Sequence, residues 1–210
     1  MSDEFVEALI PVGKRLVALD LSDPSHSLSD EHLITLLKTA GKNLETLDLS
    51  GHDMITDAFL TDGIRSHAQA LRHLRLANTP ELSSAGFATL FGPGWANPAL
   101  RSIDLSRNPD LGLEGCLDAL LEHSNGALRD LNINGWKDTP GESLGAISGA
   151  KELRKLDIGW CREVDDFIMK EILDGCPMLK EAKVFGCNRI TVACPRRRGL
   201  VMRGVESHLI

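Results

Sequence analysis

The five cysteines are the most reactive side chains in this chain, and their spacing decides between a metal site and buried thiols. Cys161 and Cys187 occupy the same place in two consecutive leucine-rich segments, so their backbones should lie about 5 Å apart, as on neighbouring strands. Zinc needs four ligands in a tetrahedral arrangement, whereas Cys116, Cys176 and Cys194 fall in or beside predicted helices. An odd number of cysteines also argues against a disulfide framework. We therefore favour buried thiols over a zinc site and expect a reducing compartment.

Histidine, serine and glycine patterns give no indication of catalysis. The seven histidines fall at different positions of the repeating pattern, so stacking of repeats does not bring them together. The sequence contains no G-x-S-x-G, H-E-x-x-H or phosphate-binding glycine loop, and Gly92-Pro93-Gly94 has the composition of a turn. We expect no enzymatic activity, no cofactor and no small-molecule substrate.

A leucine phrase, L-x-x-L-x-L, recurs along the chain and must supply the framework for any site. Its starts are 25 to 29 residues apart, a period that is typical of a leucine-rich-repeat solenoid. One repeat cannot bury its leucines alone, so neighbouring repeats must stack. The sequence predicts an α/β arc of about seven strand–helix repeats, with a parallel sheet on the concave side and helices on the convex side. The seven phrases begin at Leu16, Leu44, Leu71, Leu100, Leu128, Leu153 and Leu179.

Three segments follow from this period. Residues 1–15 are expected to be the end of a preceding repeat, which would make this chain the C-terminal part of a longer protein. The alternative is a short N-terminal cap. Residues 16–187 hold the repeats. Residues 188–210 form a C-terminal cap and basic tail, within which 196–205 is predicted to add one terminal strand. Inside the third repeat, the Gly- and Pro-rich stretch 91–98 predicts a protruding loop.

Helices are predicted between the strands, because apolar residues there recur at intervals of three and four. Ser29-Asp30, Thr56-Asp57, Ser83-Ser84 and Asp165-Asp166 precede four of these helices, and Thr56 is suited to act as an N-cap. In the helix after Asp165, Phe167 and Ile168 belong to the apolar stripe that should face the sheet. The chain has a net charge of −7 and no run of about eighteen apolar residues, so a chain-wide attraction to DNA and a membrane span are both disfavoured.

We number the positions of each repeat from the first leucine of the phrase, which is position 1. Because the repeats stack, residues at one position form a continuous row on the surface. Position 2 carries an uninterrupted row of cations, which we call the basic ladder. Position 5, on the same face, is mainly acidic. Either these residues are a common feature of leucine-rich repeats and the two rows partly neutralise each other, or the face recognises a charged partner. The basic ladder consists of Arg72, Arg101, Arg129, Arg154 and Lys180.

Aromatic side chains are the second kind of candidate anchor, since interface hot spots favour Trp, Tyr and Arg. Trp160 and Phe185 follow two neighbouring strands and are expected to form an exposed patch. Trp95 on its loop is another candidate, whereas Trp136 is expected to be buried. The residues predicted to bind partners are Arg101, Arg129, Arg154, Trp160, Lys183 and Phe185.

Two motifs carry a resemblance to a known family. The segments 160–166 and 186–191, with Cys176-Pro177, resemble the cysteine-containing subclass of leucine-rich repeats known from F-box substrate receptors, although His52, Thr79, Asn108 and Trp136 replace the cysteine elsewhere. The tail, comprising 183–191, Cys194-Pro195-Arg196-Arg197-Arg198-Gly199 and 204–208, resembles the C-terminus of the fungal Rad-seven family of DNA repair proteins.

The resemblance implies a non-catalytic adaptor of nuclear global-genome nucleotide excision repair. Its implied partners are a Swi/Snf-type ATPase with a RING finger, elongin C and cullin of a ubiquitin ligase, and the damage-recognition factor. Two alternatives remain open from the residues. One is a substrate receptor of an F-box-type ligase or a mitotic-exit inhibitor. The other is a damaged-DNA-binding module that would use Arg196, Arg197 and Arg198.

Overall fold

Eight short strands form one parallel sheet in which each strand pairs with the next along the chain. The computed structural model describes residues 5, 8–22, 28–113 and 115–205, so His26, His208 and the tail after Val205, used in the sequence analysis, lie outside it. The strands are β1 (Ala18–Asp20), β2 (Thr46–Asp48), β3 (His73–Arg75), β4 (Ser102–Asp104), β5 (Asp130–Asn132), β6 (Lys155–Asp157), β7 (Glu181–Lys183) and β8 (Val201–Arg203).

The register of the sheet stacks equivalent residues of successive repeats. Leu47 pairs with Leu74, and Leu74 pairs with Ile103. The last strand, β8, pairs in parallel with β7, so the predicted terminal strand is confirmed. The predicted leucine-rich-repeat solenoid, with its parallel sheet and helices, is therefore confirmed as well.

Helices of varied length connect the strands. The segments are α1 (Asp30–Ala40), α2 (Ser84–Phe91), α3 (Cys116–Ser124), α4 (Gly141–Gly145) and α5 (Asp166–Gly175), with a π-helix at Phe59–Arg65 and 3₁₀ turns at Ile10–Arg15, Pro109–Gly112 and Ala146–Gly149. The hydroxyl of Thr56, the predicted N-cap, accepts a hydrogen bond from the Ala58 N–H at 3.3 Å. The structure shows two further N-caps: the Ser83 side chain accepts from the Gly86 N–H, and Asp165 accepts from the amides of Phe167 and Ile168.

The core lies between the sheet and the helices and is continuous along the solenoid. Positions 1, 4 and 6 of the second repeat illustrate it, since Leu44, Leu47 and Leu49 are at most 1% exposed. Trp136 is fully buried, as predicted. Phe167 was expected to face the sheet, but it is 65% exposed on the convex side, because the first turn of α5 directs Ile168 and Met169 inward instead.

The turns after strands β2 to β7 pass through the left-handed region of backbone conformation at position 8. This region costs an L-residue roughly 1–2 kcal/mol and costs glycine almost nothing. Only some repeats use glycine here, so the other side chains are held in a strained conformation. The residues at this position are Gly51, Asn78, Arg107, Gly135, Trp160 and Gly186, with φ between 55° and 91°.

Position 9, the cysteine position of the repeat, joins neighbouring repeats through side-chain hydrogen bonds. The Asn108 amide donates to the carbonyl of Leu76 at 2.7 Å, and the Trp136 indole donates to that of Leu105 at 2.9 Å. The Cys187 thiol donates to the carbonyl of Ile158 at 3.2 Å. Different residue types thus satisfy the same buried carbonyl of the preceding repeat.

The stretch 91–98 does not protrude as predicted. Phe91 and Trp95 are buried, and the Trp95 ring stacks on His123 with a centroid distance of 4.9 Å. Arg65 holds the stretch by donating to the carbonyls of Gly92 and Pro93. Burial lowers the pKa of His123, and the Arg65 charge acts in the same direction. Trp95 is therefore a core residue, which removes it as a surface anchor.

Within the described residues, none of the helices has the length and apolar content needed to cross a bilayer.

Candidate functional site

The basic ladder is built directly on the hydrogen bonds of the sheet. The Arg129 amide donates to the Arg101 carbonyl at 2.7 Å, the Arg154 amide to the Arg129 carbonyl at 2.7 Å, and the Lys180 amide to the Arg154 carbonyl at 2.8 Å. Adjacent ladder residues are therefore separated by one strand spacing, about 4.8 Å. Because the backbone fixes this spacing, the row of cations exists before any partner binds.

The carboxylates of position 5 do not neutralise the ladder. Asp48 forms an ion pair with Arg75 at 3.4 Å, and Asp157 forms one with Lys183 at 3.5 Å, so acids of position 5 pair with cations of the same position. Over the residues that the structure describes, the ladder side chains have no ion pair within 4 Å and no hydrogen bond. Among the described residues, no ion pair within 4 Å therefore joins the two rows.

A groove runs along the ladder at the edge of the sheet where the strands begin. Six cationic side chains and two carboxylates line it, and one of those carboxylates, Glu181, is already paired with Arg203 at 3.4 Å. The Nε atom of Arg154 is buried and has no hydrogen-bond partner. The cations are Arg101, Arg129, Arg154, Lys155, Lys180 and Arg203, and the carboxylates are Asp130 and Glu181.

Two of those cations were missed by sequence reasoning. Lys155 is at position 3 of its repeat, next to the ladder, and its exposure follows from the alternation of the strand. Arg203 belongs to β8, whose register against β7 places it beside Lys183 in the sheet. The exposure of Lys155 could have been predicted from its position in the leucine repeat. The location of Arg203 could not, because it depends on how β8 pairs with β7.

The central concave face, next to the groove, is polar and internally hydrogen-bonded. The Asn132 amide donates to Asp104 at 2.8 Å, and the Asn134 amide donates to Asp157 at 3.0 Å. Lys183 lies here with its ammonium on Asp157. This face therefore offers fewer free charges than the groove.

Trp160 and Phe185 form an exposed patch at the opposite edge of the sheet. They are 54% and 48% exposed, so the predicted exposure is confirmed. The Trp160 amide donates to the Phe185 carbonyl at 2.6 Å, which locks the two turns together. The indole lies over Gly186, where a Cβ would come within 2.6 Å of the ring. Glycine at this position is what lets the ring lie flat on the turn.

The structure places five of the six predicted partner-binding residues in two groups, and the sixth, Lys183, lies on the central concave face. Arg101, Arg129 and Arg154 line the groove at position 2. Trp160 and Phe185 stand at positions 8 and 7, roughly 17–20 Å further along the strand direction. One small ligand cannot contact both groups, so they constitute two separate surfaces.

The three consecutive arginines of the tail do not form one exposed cluster. Arg197 donates to the carbonyls of Leu173, Cys176 and Leu179 at 2.7 to 3.0 Å, and so closes the C-terminal end of α5. Arg196 and Arg198 are exposed. Elsewhere in the tail, Arg189 is paired with Glu163 of the preceding repeat.

The cysteines are buried thiols, as predicted. Burial raises the pKa of Cys176, Cys187 and Cys194 to about 11, and it raises the pKa of Cys116 and Cys161 further still. Thiols held protonated in this way are poor nucleophiles and poor metal ligands. Over the described parts of the chain, no three His, Cys, Asp or Glu side chains are grouped to hold a metal ion.

The stacked parallel strands and the repeated buried leucines define a leucine-rich-repeat protein, and the Leucine Rich repeat family model matches residues 42–58. The chain is similar to DNA repair protein rhp7 of Schizosaccharomyces pombe, with 29% identity over 93% of this chain and 35% of the relative. It is also similar to DNA repair protein RAD7 of Saccharomyces cerevisiae, with 28% identity over 87% of this chain and 33% of the relative. The predicted resemblance to the fungal Rad-seven family is confirmed.

Solved structures agree with this fold. A chain in the yeast Rad7 and Elc1 complex superposes with a TM-score of 0.80 at 24% identity, covering 97% of this chain and 58% of that one. An internalin, inlF of Listeria monocytogenes, superposes with a TM-score of 0.51 at 15% identity over 91% of this chain and 51% of its own. The chain spans about a third of the length of the curated relatives that it matches.

Proposed function

We propose that this chain is the partner-binding repeat region of a non-catalytic adaptor in nuclear nucleotide excision repair, acting in the global-genome branch. The observation that carries the proposal is its similarity to two DNA repair proteins over about nine-tenths of its length. The buried thiols and the mutually satisfied concave face fit a role in binding rather than in catalysis. A rigid solenoid suits an adaptor because it presents long surfaces without rearranging.

The proposed partners are the components of a ubiquitin ligase and a remodelling enzyme. A yeast structure contains Rad7 together with Elc1, which supports an elongin C partner for the present protein. By family resemblance we extend this to a cullin, to a Swi/Snf-type ATPase with a RING finger, and to the damage-recognition factor. Since the chain matches only a third of its relatives, each of these partners is proposed for the complete adaptor.

The two separated surfaces support an adaptor that holds two partners at once. We assign one partner to Arg101, Arg129 and Arg154 in the groove. We assign another to Trp160 and Phe185, whose exposed rings are suited to a hot spot, with Lys183 between the two surfaces. The damaged-DNA-binding alternative has less support, because Arg197 is bonded internally and Arg189 is already paired.

A chimera tests the proposal. The matching region of Saccharomyces cerevisiae RAD7 is replaced by this chain in a strain lacking RAD7, and survival after ultraviolet irradiation is measured together with co-precipitation of Elc1. We expect survival close to that of the strain carrying intact RAD7. A chimera that accumulates normally but leaves the cells as sensitive as the deletion strain would contradict the proposed function.

A further inference from the structure

The groove along the basic ladder has more cations than carboxylates, and among the described residues the ladder side chains have no ion pair within 4 Å. Its six cations face two carboxylates, although the whole chain has a net charge of −7. The buried, unpartnered Nε of Arg154 is a donor without an acceptor, and such donors cost free energy until a ligand supplies one. Charge and hydrogen-bonding capacity therefore both favour an anionic ligand in this groove.

The ladder has a defined length. It is bounded by Glu45 at position 2 of the second repeat and by Val201 beyond Lys180. Five cationic residues over four strand spacings extend about 19 Å, which equals about six residues of an extended polypeptide. From these features we propose that the groove binds an extended acidic peptide segment of a partner protein, running across the strands. This inference rests on the proposed adaptor function and specifies the chemistry of one partner.

Nucleic acid fits the groove less well than a peptide. A duplex has phosphate strands on both sides of a groove about 12 Å wide. If one strand lay on the ladder, the other would approach position 5, about 10 Å away, where Asp104 and Asp157 stand. Single strands are bound by aromatic stacking, and the groove is lined by no Trp, Tyr or Phe among the described residues. A peptide is narrow enough to contact the cations alone.

Fluorescence anisotropy tests the proposal with the 210-residue chain and a labelled peptide of about twelve residues rich in Glu, which exceeds the length of the ladder. The groove variant is Arg129→Gln with Arg154→Gln. The control variant is Arg162→Gln with Lys170→Gln, which removes the same charge from two exposed sites outside the groove. We expect the groove variant to weaken binding by about tenfold or more and the control variant by about twofold or less.

Additional peptides and variants distinguish the possible outcomes of this experiment. A peptide with Gln in place of Glu should not bind. Arg129→Lys with Arg154→Lys keeps both charges but lacks the Arg154 Nε donor, so it should bind more tightly than the Gln variant and more weakly than the unchanged chain. Its binding also guards against loss of folding in the Gln variant. Equal weakening by the groove and control variants, or equal binding of the Gln peptide, would overturn the proposal. Tighter, groove-dependent binding of a short DNA duplex would replace the peptide with nucleic acid. Each failure would leave survival of the chimera unaffected, so it is distinguishable from failure of the adaptor function.

Discussion

The side chain at position 9 performs one task with several chemistries. Asn108, Trp136 and Cys187 each donate to a main-chain carbonyl of the preceding repeat. Each of these carbonyls also accepts a hydrogen bond within its own repeat, so the side chain at position 9 is a second donor that joins two repeats. Such a bond contributes about 0.5–1.5 kcal/mol to stability. The quality of the donor varies widely, since the thiol of Cys161 lies 3.7 Å from the Ile133 carbonyl.

This difference in donor quality should appear in stability. Asn108 also accepts from the Thr79 amide at 2.7 Å, so Asn108→Ala leaves the buried Thr79 N–H without this acceptor. It also removes one of the two donors from the Leu76 carbonyl, which keeps the Thr79 hydroxyl. We expect this change to lower the free energy of unfolding by about 3 kcal/mol and Cys161→Ala to lower it by about 1 kcal/mol. Urea denaturation followed by circular dichroism measures both values. Equal losses would show that position 9 contributes through packing alone.

For individual residues, the sequence predicted which side chains are buried but not which hydrogen bonds and ion pairs they form. The cysteines and Trp136 could be recognised as buried from their place in the period. That His52, Asn108 and Trp136 act as interchangeable donors could not, because they share no residue type and only their distance to a carbonyl unites them. The charge pairs of Arg189 and Arg203 were equally hidden, since their acids lie in other repeats.

For the helices, the sequence predicted features that depend on neighbouring residues in the chain, but it did not predict packing between different helices. Thr56 could be predicted as a cap because a side-chain acceptor at a helix start acts within a few residues. The stretch 91–98 was predicted to protrude from its Gly and Pro content. Its burial depends on Phe91 and His123, which belong to two different helices.

The cap at Asp165 provides a test. Its carboxylate accepts two amide hydrogen bonds at 3.0 and 2.8 Å, whereas the Ser29 hydroxyl accepts none from the first turn of α1. We expect Asp165→Ala to cost about 1 kcal/mol of stability, Asp165→Asn to cost much less, and Ser29→Ala to cost less than Asp165→Ala. Thermal unfolding of the three variants gives the comparison. A larger loss for Ser29→Ala would contradict this account of the helix starts.

The whole molecule is stabilised by contacts between neighbouring repeats. Strands pair only with the next strand, and equivalent helices pack on their neighbours. A central repeat therefore has two supporting neighbours and an end repeat has fewer. The fold was predictable from the period of the leucines for the same reason: one repeating phrase specifies every junction.

A pair of equivalent leucines tests this dependence on position. Leu131 is in the inner strand β5 and 2% exposed, whereas Leu19 is in β1, the edge strand of the sheet over the described residues, and 7% exposed. In this 210-residue chain we expect Leu131→Ala to cost about 3 kcal/mol and Leu19→Ala to cost about 1 kcal/mol, since a cavity at an edge strand can collapse. Denaturant unfolding measures both. A loss for Leu19→Ala as large as that for Leu131→Ala would indicate a molecule that unfolds only as a unit.

The left-handed φ of 64° at Trp160 sets a limit on improving this protein by selection for heat resistance. Glycine is the replacement that relaxes this backbone, and it deletes the indole that covers the neighbouring turn. Higher thermal stability and an exposed indole therefore require different residues at position 160. A library screened for folding after heating should therefore select Gly at position 160. The selected variants would be more stable but would lack the exposed indole.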